Sequence, residues 1–249
     1  DQPVGDSRPP QVIYGEADTL LNEQDYTEAA KKYEDVDVNH PYSTEARRAI
    51  VMSAYAYYKN GKYSEAISAG KRYLTLHPGT DEAPLAQNII AMSYYDQVLD
   101  PKRDQTNARE ALNAYDTLVQ RYPSSRYAAE AQNRVRILRN LLAAHYMTVG
   151  RYYLRDHDYL AAINRFRDVV TEYQQTEQIE EALMRLTEAY LALGIVNEAE
   201  TAAAVLGHNF PNSKWYQKAY ALLQKTGRAP HEHAGSWITE TFRGEGNPA

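Results

Sequence analysis

Cysteine is absent from the 249 residues. That excludes disulfides, thiol nucleophiles and cysteine zinc sites. Phenylalanine is scarce, three residues against 22 tyrosines. A tyrosine ring has an apolar body and a wet tip, so this bias favours grooves and interfaces over an oily interior. No run of 18 apolar residues occurs, so no helix long enough to span a bilayer is expected. There is no G-x-S-x-G, H-E-x-x-H, P-loop or G-x-G-x-x-G, and the seven histidines are scattered, which speaks against an enzyme. His231 and His233, two apart on a predicted loop, lack a third ligand, so neither a metal nor a cofactor is expected. The formal net charge of -6 argues against non-specific nucleic-acid binding.

One stretch lacks helix breakers. Between Ser125 and Val149 there is no glycine and no proline. Val135, Leu138, Leu142, Tyr146, Val149 and Tyr153 recur at steps of three or four, one face of a helix. About thirty residues at 1.5 Å rise make a rod of roughly 45 Å. We expect it to join two helical halves. From Arg121 to Arg167 the chain carries nine arginines, no lysine and three acids, a net of +6. A cationic middle in an acidic chain suggests a docking surface.

What is present is a repeat. Five segments align on a small residue, Ala29, Ala66, Ala111, Ala162 and Ala199. Four residues later come Tyr33, Gly70, Tyr115, Phe166 and Ala203. Twelve residues after each alanine stand Pro41, Pro78, Pro123, Gln174 and Pro211. Closely crossed helices need a small residue at the contact, and proline disfavours helix in the residue before it. The pattern is that of tetratricopeptide repeats, helix A, turn, helix B, then proline. Predicted A helices are Gln11–Asn22, Ser43–Asn60, Asp81–Leu99, Ser125–Leu154 and Glu177–Leu193. Asp25 with Glu28, and Asn107 with Glu110, read as capping boxes opening B helices. A last helix, about Ser213–Lys225, caps the stack. The expected fold is therefore an all-α tetratricopeptide-repeat superhelix, an α-solenoid of five repeats plus a C-terminal capping helix. Repeat spacings of 37, 45, 51 and 37 residues exceed the usual 34 or so. The excess lies in the polar insertion Asp100–Thr106 and in the long helix.

These features divide the chain into a flexible Pro-rich tether at 1–11, repeats 1–3 at 12–124, repeats 4–5 with the long and capping helices at 125–225, and a mobile tail at 226–249. Within the tail, Trp237, Ile238 and Phe242 share one side of a short amphipathic segment.

The run YPSSRYAAEAQNRVRILRNLLAAHYMTVGRYYLRDHDYLAAINRFRDVV resembles the BamD family. These are the tetratricopeptide-repeat lipoproteins of the β-barrel assembly machinery in the outer membrane of Gram-negative bacteria. IYGEADTLLNEQDYTEAA, AYAYYKNGKYSEAISAGKRYLTLHP and EEALMRLTEAYLALGIVNEAETAAAVLGHNFP agree, so the resemblance spans about Val12 to Leu223. It departs at Tyr146, where many relatives carry Glu, and at Tyr173-Gln174, usually Tyr-Pro. The family is anchored by a lipidated N-terminal cysteine, expected here to have been removed before Asp1.

The resemblance implies a non-enzymatic scaffold on the periplasmic face of the outer membrane, held by lipid alone. Its implied partners are BamA through a periplasmic POTRA domain, other lipoproteins of the complex, and unfolded outer-membrane proteins, with no nucleic acid. Repeats 1–3 would take the C-terminal targeting segment of an unfolded barrel, with Tyr55, Tyr57, Tyr58, Asn60, Arg72 and Tyr73 as candidates. A tyrosine-lined groove suits its terminal aromatic and an arginine its carboxylate. Repeats 4–5 would contact BamA through Arg151, Tyr152, Arg155, Asn164 and Arg165. The competing readings are inter-repeat packing for the tyrosines and internal pairing with Asp156, Asp158, Asp168 or Glu172 for the arginines. Two alternative functions stand beside this one, a general tetratricopeptide adaptor or co-chaperone for C-terminal peptides, and a structural periplasmic protein that contacts cell-wall enzymes.

Overall fold

The computed structural model describes residues 6–98 and 103–244. Among them are twelve α-helices. They are α1 (Pro10–Asn22), α2 (Tyr26–Asn39), α3 (Thr44–Lys59), α4 (Tyr63–Leu76), α5 (Ala83–Tyr95) and α6 (Thr106–Arg121). Then come α7 (Ala128–Arg155), α8 (Tyr159–Glu172), α9 (Ile179–Ala192), α10 (Val196–Asn209), α11 (Lys214–Lys225) and α12 (Trp237–Gly244). The expected five A/B pairs and capping helix are all there. The chain forms two compact units. Apart from Arg103, which groups with the second, the first holds the described residues up to Leu138 and the second those from Arg139 onward.

Each pair closes where the sequence is smallest. Ala29, Ala66, Ala111, Ala162 and Ala199 are all fully buried. Tyr33, Tyr115 and Phe166, one turn on, are buried beside them. Phe166 needs space on the neighbouring helix, and Gly150 of α7 supplies it. A Cβ at Gly150 would stand 2.5 Å from Phe166 Cε1.

The A-to-B turn has a geometry that the sequence does not advertise. Its residue before the B-helix cap is left-handed in four repeats: Gln24 (φ 64°), Gly61 (φ 71°), His157 (φ 61°) and Gly194 (φ 73°). The next amide then reaches back five residues, Asp25 to Leu20, Lys62 to Tyr57, Asp158 to Tyr153 and Ile195 to Tyr190. This Schellman closure satisfies carbonyls left over at the end of helix A.

The B helices also stop alike. His40, His77, Tyr122 and Phe210 have ψ between 52° and 62°, and Tyr173 has 37°. Tyr173 precedes Gln174, so the exit survives without proline. The amide of each of these five residues bonds four residues back.

Several expectations need correction. Asp25 accepts from the Glu28 amide, but its own amide goes to Leu20, so only half of that capping box forms. Asn107 caps nothing, because α6 starts at Thr106, whose amide and hydroxyl bond to Asp104. The rest of the insertion, and Leu99, lie partly outside the described residues. α7 is unbroken over 28 residues, about 42 Å at 1.5 Å per residue. Its fully buried residues include Ala131, Leu138, Leu142 and Met147, whereas Val135, Tyr146, Val149 and Tyr153 are half-buried. The buried line shares Leu138 and Leu142 with the predicted face but runs on through Ala143 and Met147 rather than through Tyr146 and Val149.

The expected tether is partly fixed. Arg8 bridges Asp6 and Glu16 by ion pairs, and its carbonyl lies 2.8 Å from His40 Nε2. Residues 1–5 of the tether lie outside the described residues.

The turn geometry predicts that Gln24→Gly stabilises the protein. Relief of left-handed strain outweighs the added freedom of the unfolded chain, for a net gain of about 0.5–1 kcal/mol. Gly150→Ala should cost about 1–3 kcal/mol by overpacking Phe166. Urea unfolding followed by circular dichroism checks both.

Candidate functional site

In the first unit, α2, α3 and α4 enclose a cleft of about 230 Å³ lined by Glu34, Asp37, Ile50, Tyr57, Glu65 and Arg72 among others. An adjoining trough of about 520 Å³ shares Asp37, Ile50 and Arg72, and adds Tyr42, Arg47, Leu76 and His77. Arg72 pairs with Asp37 through Nη2 while its side chain stays 55% exposed. A guanidinium has five N–H donors, so one carboxylate does not exhaust it. Arg47 Nε is buried with no hydrogen-bond partner, and the Arg47 Nη2 to Glu82 distance is 3.8 Å. Tyr42 is fully exposed and Leu76 half-exposed on the same trough. Two incompletely satisfied arginines beside exposed apolar surface can receive a carboxylate attached to an aromatic.

The predicted peptide-binding set does not form one groove. Successive helix residues point about 100° apart, so Tyr57 and Tyr58 leave α3 in different directions. The Tyr57 hydroxyl donates to Glu34 at 2.7 Å and that of Tyr58 to Asp96 at 2.8 Å. Burial, and then these carboxylates, push both phenols above the ordinary range. Tyr55 is half-buried against the core. Asn60 donates to Thr27 at 3.0 Å and so ties repeat 2 to repeat 1. Tyr73 is fully buried, its hydroxyl 2.7 Å from Thr80 Oγ1, and it belongs to the core rather than to a surface. Of the six, Tyr57 and Arg72 line the cleft described above. Arg47 and Tyr42 of the trough were not among the predicted residues; an unpartnered buried nitrogen such as Arg47 Nε leaves no mark in a sequence.

In the second unit the predicted arginines also divide. Arg151 pairs with Glu181 at 3.0 Å, and Arg151 and Arg155 line a pocket of about 400 Å³ with Arg185 and Glu188 of α9. Asn164 and Arg165 sit exposed on α8, with Arg165 paired to Asp168 at 3.4 Å, the internal partner weighed from the sequence. Tyr152 is 57% exposed. The two departures from the family pattern meet in space. The Tyr146 and Tyr173 rings lie 5.8 Å apart, so Tyr146 packs on the residue that ends helix B of the same repeat.

The tail corrects the expectation of a mobile end, at least as far as Gly244; residues 245–249 lie outside the described residues. It lies along α10. The His231 amide donates to the Glu200 carbonyl, the His233 amide to Thr201 Oγ1, and the Ser236 hydroxyl to Glu198 at 2.7 Å. α12 then packs on α10 and α8. Ile238 is fully buried, the Trp237 indole N–H donates to the Tyr190 hydroxyl at 2.9 Å, and Arg167 stacks over the indole at 4.8 Å. His233 Nε2 lies 2.7 Å from Glu200 Oε2, and Arg228 pairs with the same carboxylate. Among the described residues no group of three His, Cys, Asp or Glu could hold a metal, and no helix is long and apolar enough to cross a membrane.

Stacked helix pairs with arginine-containing clefts define a tetratricopeptide-type repeat protein. A family model described as an outer membrane lipoprotein, YfiO, matches residues 6–206. The outer membrane protein assembly factor BamD of Caulobacter vibrioides is 40% identical over 227 residues, 91% of this chain and 74% of its own length. BamD of Neisseria meningitidis is 36% identical over 218 residues, 84% of this chain and 82% of its own. BamD of Rickettsia prowazekii is 33% identical over 213 residues, 86% of this chain and 85% of its own. The chain belongs to the BamD family.

Burial raises the Glu200 carboxyl, but the bonds from His233 and Arg228 outweigh it and leave it below its ordinary 4.5. A depressed carboxylate stabilises the docked tail above that ordinary value and stops doing so as pH falls through the lower, folded one. As pH falls below about 4.5 the tail should loosen, seen as a red shift of Trp237 emission and new protease cleavage after residue 226. Glu200→Gln should remove the step and weaken docking by about 2 kcal/mol.

Proposed function

We propose that this protein is a scaffold of outer-membrane protein assembly, lipid-anchored on the periplasmic face. It holds the C-terminal targeting segment of an unfolded barrel in its first unit and a POTRA domain of BamA through its second, alongside other lipoproteins of the complex. The single observation that carries the reading is the match to relatives named as outer membrane protein assembly factors, which extends over both units.

The trough between α2, α3 and α4 supports the first role. Arg47 and Arg72 receive the terminal carboxylate there, and Tyr42, Leu76 and His77 flank the terminal aromatic. The acids of the adjoining cleft, Glu34 and Glu65, keep the carboxylate on the arginine side. For BamA, the exposed Tyr152, Asn164 and Arg165 are the contact. Arg165 is held by a single long ion pair, so exchanging Asp168 for a partner's carboxylate costs little. Arg151 and Arg155 turn to the pocket beside α9 instead.

Crosslinking at Arg165 in native outer membranes should give BamA adducts, and adducts to other proteins alone would overturn the assignment. Arg165→Glu should lower BamA capture about tenfold with helicity unchanged. Arg47→Ala with Arg72→Ala should weaken a barrel C-terminal peptide about tenfold, and amidating its carboxylate should do the same. An amidated peptide that binds as tightly as the free acid would sink the trough assignment.

A further inference from the structure

We propose that the pocket between α7 and α9 recognises an acidic peptide segment of a protein partner. The proposal stands apart from the assembly reading and uses different residues from the trough.

The pocket is lined by Thr148, Arg151, Leu154, Arg155, Arg185 and Glu188, with a volume of about 400 Å³. That is room for two or three side chains, within the range of small recognition sites. Its cations are built to different purposes. Arg185 is locked, with Nε 3.2 Å from Glu181 and Nη1 2.9 Å from Glu188, and it stacks on Trp215 at 5.6 Å. Arg151 shares Glu181. Arg155 is exposed and has no ion pair among the described residues. Lys214 and Lys218 lie over the same Trp215 ring, at 5.4 Å and 4.5 Å, and neither has a carboxylate within ion-pair distance among the described residues.

Arg155 thus lines, without an ion pair, a pocket whose one lining carboxylate, Glu188, is already engaged by Arg185, and Lys214 and Lys218 stand over Trp215, the ring on which Arg185 stacks. The surplus is positive in a chain that is negative overall. An extended polyanion would be repelled by that wider charge, whereas a short acidic segment meets only the local field. Arg155 grips one carboxylate through its planar fork. Leu154 and Trp215 cover the apolar stems between acidic side chains, and Lys214 and Lys218 meet the next carboxylate along.

The probe is a fluorescein-labelled decapeptide alternating Glu with Leu, acetylated and amidated so that it carries no terminal carboxylate. Fluorescence anisotropy with the full chain should show saturable binding that weakens with salt. Arg155→Gln should weaken it about tenfold, while Arg165→Gln and the Arg47→Ala, Arg72→Ala pair leave it unchanged. In a Trp237→Phe background the peptide should shift the emission of Trp215. Equal binding of the Gln-for-Glu peptide would overturn the proposal. So would equal competition by inorganic phosphate at matched charge, which would mark a simple ion site, or equal loss in Arg165→Gln, which would put the peptide on α8. Failure here with retained BamA capture would leave the assembly reading standing.

Discussion

Close approach of paired helices at five buried alanines is the constraint on which the remaining structure rests. Ala29, Ala66, Ala111, Ala162 and Ala199 have no exposed surface, and in three of the pairs a large ring one turn later, Tyr33, Tyr115 or Phe166, fills the space that the small residue opens. Once the pair is that tight, the turn joining its helices has little freedom. It resolves the same way in four repeats, with a left-handed residue and a six-residue backbone closure. Two of those residues are not glycine. Gln24 and His157 tolerate the strain because packing on both sides leaves no other turn.

The alanine and proline registers were legible because both act locally. A small residue at a crossing and a proline after a helix exclude alternatives within a few residues of chain. The five pairs, the capping helix and the unbroken α7 follow from them. Gln174 shows where that logic is incomplete. The exit at Tyr173 keeps its backbone bond to Val169 without proline, so proline reinforces a stop that packing already imposes. Asn107 failed as a cap because the nearby Asp104 opens the helix earlier, and a capping motif cannot reveal which of two competitors wins.

The candidate sites were less legible, and for a single reason. Composition marks a residue as aromatic or cationic, but its neighbours decide whether it is available. Tyr73 and Tyr57 lie on neighbouring helices of repeat 2, and one is core while the other edges a cleft. Arg185 and Trp215 are thirty residues apart in sequence and meet only because α9 and α11 pack together. The tail is expected to be mobile because chain ends are loosely held unless tied down. Its order comes from acceptors on α10, Glu198, Glu200 and Thr201, which a polar strap is well suited to reach.

The arginine-rich middle illustrates how net charge and binding capacity separate. Of its nine arginines, Arg134, Arg151 and Arg165 pair with acids of their own unit, and Arg126 and Arg167 lie over aromatic rings. A net of +6 therefore overstates the free charge. Pairing does not disable such a group, however. A flexible lysine loses rotamer freedom when it binds, while a guanidinium already held by a carboxylate or a ring has lost that freedom during folding. Its unused N–H edge is then oriented before a partner arrives. Arg151 held by Glu181 and Thr148 fits that description within this stretch, as Arg72 held by Asp37 does outside it, and it gives a physical reason for arginine to be used where lysine would supply the same charge.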